Sequence, residues 1–437
     1  RRGIEKSTDK VNLIYILARL QRARGNTAEA DALVEQATRE KPDDPDVFMF
    51  LANYRAGNGD RPGALEAAEK AVALDPKRSD SQLRKAEIVV EMGYRGEHEG
   101  GVEEGQKIVS EVLQREPSNA AALFVDAKIK VTRNELADAV TSLKAALDAR
   151  PDWAEAHYLL GATMAAQQQY TEARGELARA LELDPGLADA NQVLAQVHDR
   201  LGEHDYAIEV GRRFLKEHPD DVKVRLLVAQ NLVQLGKLDD ALAELSSIPE
   251  DQRSPEIEYA LGRVYLGKNQ GKLAREHLLR ADAQMPSQSD VLENLLEIDR
   301  REKAEAAASH DAVRIAKANE AFDASLQRIK TAVEAKPGDP KLIQLAGVAA
   351  VVENRLDDAE TNLRKAVEID PKDRSAVERL ARFYAATHRT DMTIAVYEKA
   401  LEVRPDDAQF NHYLGMLYEL GGDKTRASAS AGCGFRT

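Results

Sequence analysis

Cysteine occurs once in the 437 residues, at Cys433. That excludes a disulfide framework and any site built from several thiolates. Tryptophan also occurs once, and Phe, Trp and Tyr together make up 5% of the chain. Ala and Leu must therefore carry most of the packing. No window approaches the roughly 18–20 uninterrupted apolar residues that a membrane-crossing helix needs. Basic charge is in deficit, since 61 Lys and Arg face 75 Asp and Glu for a net charge of −14. Non-specific nucleic-acid binding needs a basic field, so no nucleic-acid partner is expected. Also absent are H-E-x-x-H, G-x-S-x-G and a G-x-G-x-x-G following a strand. His198 and His204 are six residues apart and so lie on different faces of a helix, which does not suit a metal pair. No cofactor, metal or catalytic residue is expected.

What the chain does contain is a period. From Pro151 to Pro185, His157, Leu160, Gly161 and Met164 mark one helical face, and Ala173, Leu177 and Ala180 mark a second after the polar run Gln167-Gln168-Gln169. Gly161 and Ala173 are small where two helices of a hairpin would approach closest. Pro117, Pro151, Pro185 and Pro219 are spaced by 34, as are Pro42 and Pro76, and Pro337, Pro371 and Pro405. Small pairs recur in phase, among them Leu17-Ala18, Leu51-Ala52, Leu194-Ala195, Leu261-Gly262, Ala346-Gly347 and Leu380-Ala381. The second-helix alanines Ala30, Ala64, Ala139, Ala207, Ala241, Ala274 and Ala359 keep the same register. This pattern resembles the tetratricopeptide repeat, with L-G-x2-Y matched by Leu160-Gly161 and Met164, A-x3-F by Ala173 and Leu177, and the closing P by Pro185. The resemblance implies an all-α, right-handed superhelical solenoid of about eleven complete helix-turn-helix repeats, with partial repeats at both ends.

Four regions follow. Residues 1–10 match the end of an upstream repeat, with Thr8 where the closing proline belongs, so the sequence is expected to begin inside a larger array. Residues 11–288 hold repeats one to eight. Pro76 to Pro117 is 41 residues, an excess of 7, and the glycine-rich stretch 91–105 is read as a flexible, solvated loop. No G-K-[ST] or strand accompanies that stretch, which argues against a phosphate cradle. The LGKNQGK string of repeat eight is read as a turn. Residues 289–339 form an extended repeat: Pro286 to Pro337 is 51 residues, an excess of 17. Both helices are expected to lengthen, with Ser309-His310-Asp311 near the tip. The stripe Ile315, Phe322, Leu326, Ile329 and Val333 is expected to pack on Leu292, Leu295, Leu296 and Ile298 of the same hairpin. Its Ala-rich tip, 302–318, is offered as a surface for a partner or a second copy of the chain. Residues 340–437 hold repeats ten and eleven, a truncated repeat and an irregular tail.

In the tetratricopeptide family, first-helix positions 2, 5, 9 and 12 line a concave groove for partner peptides. Carried over, the groove contains Tyr15, Arg19, Arg22, Met49, Asn53, Phe124, Lys128, Tyr158, Gln192, Gln196, Gln230, Tyr259, Arg263 and Arg382. Rings would anchor an extended peptide and amides would read its backbone. Equally, the position-5 rings could wedge between successive first helices. Trp153 is expected to fill the joint between repeats four and five. The resemblance implies a non-enzymatic scaffold for protein or peptide partners. The PDD, LDP and GKLDDA strings look bacterial and resemble the repeat lipoproteins of envelope and exopolysaccharide systems. The rival is a targeting portion of a longer glycosyltransferase, kinase or sulfotransferase. Compartment is left open.

Overall fold

A computed structural model describes residues 10–423 and 426. The expected upstream remnant before Lys10, most of the tail and Cys433 lie outside the described residues. Those residues form twenty-three α-helices and one 3-10 turn, with no strand among them. The helices alternate as first and second arms of eleven hairpins, followed by one further first helix. First helices start at Lys10, Pro45, Ser79, Ala120, Ala154, Ala188, Val222, Pro255, Ser289, Pro340, Arg374 and Ala408. These starts number the repeats one to twelve below. The chain divides into two compact units, Arg1–Leu227 and Val228–Thr437, and each is an all-α stack of such hairpins.

Repeat five shows why the sequence folds this way. Its helices span Ala154–Ala166 and Tyr170–Leu183, 13 and 14 residues long. The first ends because Gln168 takes a left-handed φ of 63°. The Gln169 N–H then donates back to the Met164 carbonyl at 2.9 Å, the reversal that closes a Schellman cap. The same turn position is left-handed throughout: Gly25, Gly59 and Gly202, and also Asn134, Asn269, Asn354 and His388. LGKNQGK is such a turn, with Asn269 at a φ of 57°. First helices start on designed caps where the sequence offers them. The Asp44 carboxylate accepts from the Asp46 N–H at 3.0 Å, and Asp339 accepts from Lys341 at 2.9 Å, each just ahead of an N1 proline.

The two arms meet on small residues. A Cβ on Gly161 would stand 2.7 Å from Leu177 Cγ, and Gly262 and Gly347 meet Leu278 and Leu363 in the same way. Repeat six inverts the choice, with Ala195 buried on its first arm and Gly211 on its second. Polar joints cross the hairpins too. His157 Nδ1 lies 2.7 Å from Glu176 in repeat five, and in repeat eight the partners are exchanged, with His277 Nδ1 2.7 Å from Glu258. Buried Asp299 accepts from Arg275 Nε at 2.7 Å and from Ser325 Oγ at 2.6 Å, stitching repeat eight to both arms of repeat nine. Trp153 tilts against Phe124 of the preceding repeat, ring centroids 4.5 Å apart, and the Arg150 guanidinium lies 4.7 Å from the centre of the indole.

Two expectations need correction. The glycine-rich stretch of repeat three is mostly helix, not a flexible loop. Helices cover Ser79–Tyr94 and Gly101–Arg115, leaving only residues 95–100 between them. A Cβ on Gly105 would lie 2.2 Å from Val90 Cγ2 and 3.0 Å from the Ala86 carbonyl, and one on Gly101 would lie 2.3 Å from the Val89 carbonyl. These glycines let two helices touch. The second correction concerns repeat nine. Its arms are 21 and 24 residues, Ser289–Ser309 and Ala312–Ala335, turning at left-handed His310. Phe322 and Ile329 do pack with Leu292 and Leu296, joined by Leu342, Leu345 and Ala349 of the next repeat. Leu295 and Ile298 point the other way, onto Ala274, Leu278 and Ala281 of the preceding one.

Candidate partner-binding face

First helices of consecutive repeats touch one another as well as their own second arms. This holds for repeats three and four and for five and six in unit one, and for nine, ten and eleven in unit two. Position 5 of the first helices is partly covered in several repeats. Met49, Phe124, Tyr158, Gln192 and Tyr259 are all half-buried. Burial raises the pKa of Tyr158, and the Asp189 carboxylate of the following repeat adds to it. Tyr259 is likewise raised, chiefly by burial, beside Arg263 and residues Asp290 and Asn294 of repeat nine. Both phenols thus lie near charged or polar groups of the next first helix while the residues stay half-exposed.

Position 9 behaves differently. Arg19, Asn53, Lys128, Gln196, Gln230, Arg263 and Arg382 are exposed. Lys128 pairs with Glu87 at 2.9 Å, and Arg382 with Glu378 at 3.5 Å. Arg22 is half-buried with its guanidinium 5.7 Å from the centre of the Tyr54 ring. Tyr15 does not belong to an open groove: it is 9% exposed and stacks on Phe50 of repeat two, which in turn stacks on Tyr54. The reason is the neighbour. Phe50 is a large flat partner at the joint, and covering both rings removes more apolar surface from water than leaving one for a ligand.

Cavities open along this face in each unit. In unit one, a cavity of about 320 Å³ lies between repeats three and four, walled by Arg84, Glu87, Tyr94, Val125, Lys128 and Thr132. In unit two, one of about 370 Å³ is lined by Tyr259, Asp290, Glu293, Glu297, Arg300 and Val348. A neighbouring space of about 220 Å³ includes Asp290 and Glu293 again, with Lys341, Gln344, Ser375 and Arg379. Asp290, Glu293 and Glu297 escaped the sequence reading, which favoured rings, amides and bases. Their signal was present nonetheless, because they occupy positions 2, 5 and 9 of repeat nine. Among the described residues no group of three or more His, Cys, Asp or Glu is placed to hold a metal ion, and no helix is long and apolar enough to cross a membrane.

A family model described as "Tetratricopeptide repeat" matches residues 15–87 and 124–188. Those two stretches are tetratricopeptide repeats. A second model, described as "Anaphase-promoting complex, cyclosome, subunit 3", matches residues 177–248 of the tetratricopeptide array. The human "Interferon-induced protein with tetratricopeptide repeats 2" is 30% identical over 141 residues, which is 31% of this chain and only 29% of that protein. Among solved structures, yeast Tom70 is 15% identical over 96% of this chain and 98% of its own, with a TM-score of 0.46. YrrB, described as a TPR protein with an unusual peptide-binding site, is 23% identical over 42% of this chain and 95% of its own, with a TM-score of 0.40.

Proposed function

We propose that the chain is a non-catalytic scaffold whose first-helix faces hold extended segments of partner proteins. One observation carries this reading. Along each unit, half-buried rings such as Tyr158 and Tyr259 alternate with exposed amides and bases such as Gln196 and Arg263, beside cavities open to solvent. A strand-like peptide offers side chains to such cavities and backbone groups to the amides. The competing role for these rings is to wedge between successive first helices. We place the work in a bacterial assembly or envelope system on the strength of the repeated PDD and LDP strings. A lipid-acceptor cysteine behind a signal peptide in the full reading frame supports that placement, and a catalytic domain in the same frame supports the enzyme-targeting rival.

The test starts from a pool of random dodecapeptides. A sequence enriched on the folded chain is resynthesised, and its affinity is measured for wild type and for Tyr158→Ala combined with Tyr259→Ala. Loss of more than about 2 kcal/mol of binding with helicity retained is the expected outcome. If the double variant unfolds, the rings are structural wedges and the anchor role is wrong.

A further inference from the structure

Two neighbouring spaces in unit two share Asp290 and Glu293 in their walls, and an ion pair crosses the face at Glu293. Arg379, on the first helix of repeat eleven, donates to the Glu293 carboxylate on the first helix of repeat nine. This pair skips a whole repeat and passes over the first helix of repeat ten. Glu293 walls both spaces, with Tyr259, Glu297, Arg300 and Val348 on one side of it and Lys341, Gln344 and Ser375 on the other. The arginine is held in place from behind. Its Nε donates to Ser375 Oγ at 3.3 Å, and the same oxygen accepts from the buried Gln344 Nε2 at 3.1 Å.

We propose that the Glu293–Arg379 pair is a clasp across the first-helix face of repeats nine to eleven, which an extended partner segment must open in order to lie along that face. The proposal rests on the groove reading above. With the clasp shut, the face offers two short compartments. With it open, they merge into one trough running from Tyr259 to Ser375, and an extended chain, which gains about 3.3 Å per residue, can pass through. The pair is suited to opening because it is cheap. The Arg379 side chain is 26% exposed and that of Glu293 44%, so water and salt reach both. An ion pair of that exposure is worth a factor of about five or less in an equilibrium, and salt weakens it further. Opening leaves a carboxylate and a guanidinium that water and salt solvate at the rim of the trough, so the segment need not replace the contact it breaks.

Two measurements on the full chain test this. In a Cys433→Ser background, spin labels at Arg301→Cys and Ala386→Cys report the spacing of the first helices of repeats nine and eleven. Raising the salt should widen or broaden that distance in the wild type. Glu293→Gln and Arg379→Gln should each give the wide state already at low salt. The second measurement is retention of the random dodecapeptide pool, which should rise about two- to fivefold in both variants. A pair that merely contacted the ligand would instead lower retention when either partner is lost. Spacing unaffected by salt and by both substitutions overturns the clasp. So does equal or lower retention in the two variants when the wild type retains peptides. No retention by the wild type or by either variant overturns the groove reading itself, and the gate with it.

Discussion

Leu177 and Gly161 form the most exposing test of how the hairpins are built. Leu177 is fully buried, and its Cγ lies 2.7 Å from where a Gly161 Cβ would stand. Leu177→Ala removes a large side chain opposite a residue that has none, so little can collapse into the space. The cost should fall in the upper half of the usual range, about 3–5 kcal/mol. Gly161→Ala alone gains about 1 kcal/mol of helix propensity. It forces an overlap worth about 1–3 kcal/mol, leaving the single variant neutral to moderately unstable. The double variant should then be better than the sum by about 1–3 kcal/mol, because the new methyl enters the space Leu177 vacated. Repeat two already uses that solution, with Ala52 and Ala68 both fully buried in one cluster. Repeat arrays need not unfold in one step, so hydrogen exchange read repeat by repeat is the assay, with urea midpoints beside it. Protection should fall first in repeats four to six. Simple additivity of the two substitutions, or an even loss of protection from end to end, would refute the packing argument.

Two further outcomes are expected. Gln168 occupies a left-handed turn position that repeats one, two and six fill with glycine. Gln168→Gly should therefore stabilise repeat five by about 0.5–1 kcal/mol, the strain relieved less the added freedom of the unfolded chain, and an unchanged or lowered local stability by hydrogen exchange would contradict this. Asp126 is 5% exposed, and burial alone would raise its pKa, but bonds from Lys130, Ser142 and Gln106 outweigh that and hold it below its ordinary 3.8. A depressed carboxylate contributes stability above the unfolded value that is lost as pH falls through the folded one. The gap in urea midpoint between wild type and Asp126→Asn should accordingly be widest near neutral pH and shrink below about pH 4, whereas a constant gap would show that the bonds do not depend on the charge.

The repeat was legible because its markers act locally. A period of 34, a small residue at the helix crossing and Asp-Pro at a helix start each reflect one physical need, and each is met where the sequence shows it. Glycine misled because it serves two needs. Gly96 and Gly100 supply positive φ at the turn of repeat three, while Gly101 and Gly105 admit a neighbouring helix, and spacing alone does not separate the two uses. The left-handed turn was visible at Gly25 and hidden at Gln168 and His388, where packing of the two arms imposes the angle on residues that do not favour it. Tyr15 was lost for a similar reason, since whether a ring faces solvent depends on what the next repeat brings, and Phe50 sits in a different sequence unit. The Asp299–Arg275 bond and the Glu293–Arg379 pair cross from one repeat into another, 24 and 86 positions apart, where no pattern within one repeat can show them.

The long hairpin of repeat nine gives the sharpest separation of array from ornament. The buried contacts that hold repeat nine between its neighbours centre on the standard part of the hairpin. Leu292, Leu296, Phe322 and Ile329 share a cluster with repeat ten, and Asp299 is tied to Arg275 and Ser325. The overhang holds little that repeats eight and ten need. It contains the buried Ala306 and Ala318, an Arg314–Glu305 pair at 3.3 Å, and Val313 left 79% exposed. Deleting Glu302 to Ala318 removes 17 residues and brings Asn319-Glu320-Ala321 into the three-residue turn of an ordinary repeat. Glu320 then falls on the left-handed position, so Glu320→Gly should accompany the deletion. The chief local loss is the Lys303 ammonium, 4.1 Å from the centre of the Phe322 ring, together with some cover over that ring. That amounts to about 1–2 kcal/mol. The shortened chain should keep its helicity and the protection of repeats eight and ten. If those two repeats open when the tip is gone, the overhang is part of the array's support, and the division drawn here between packing core and projecting tip is wrong.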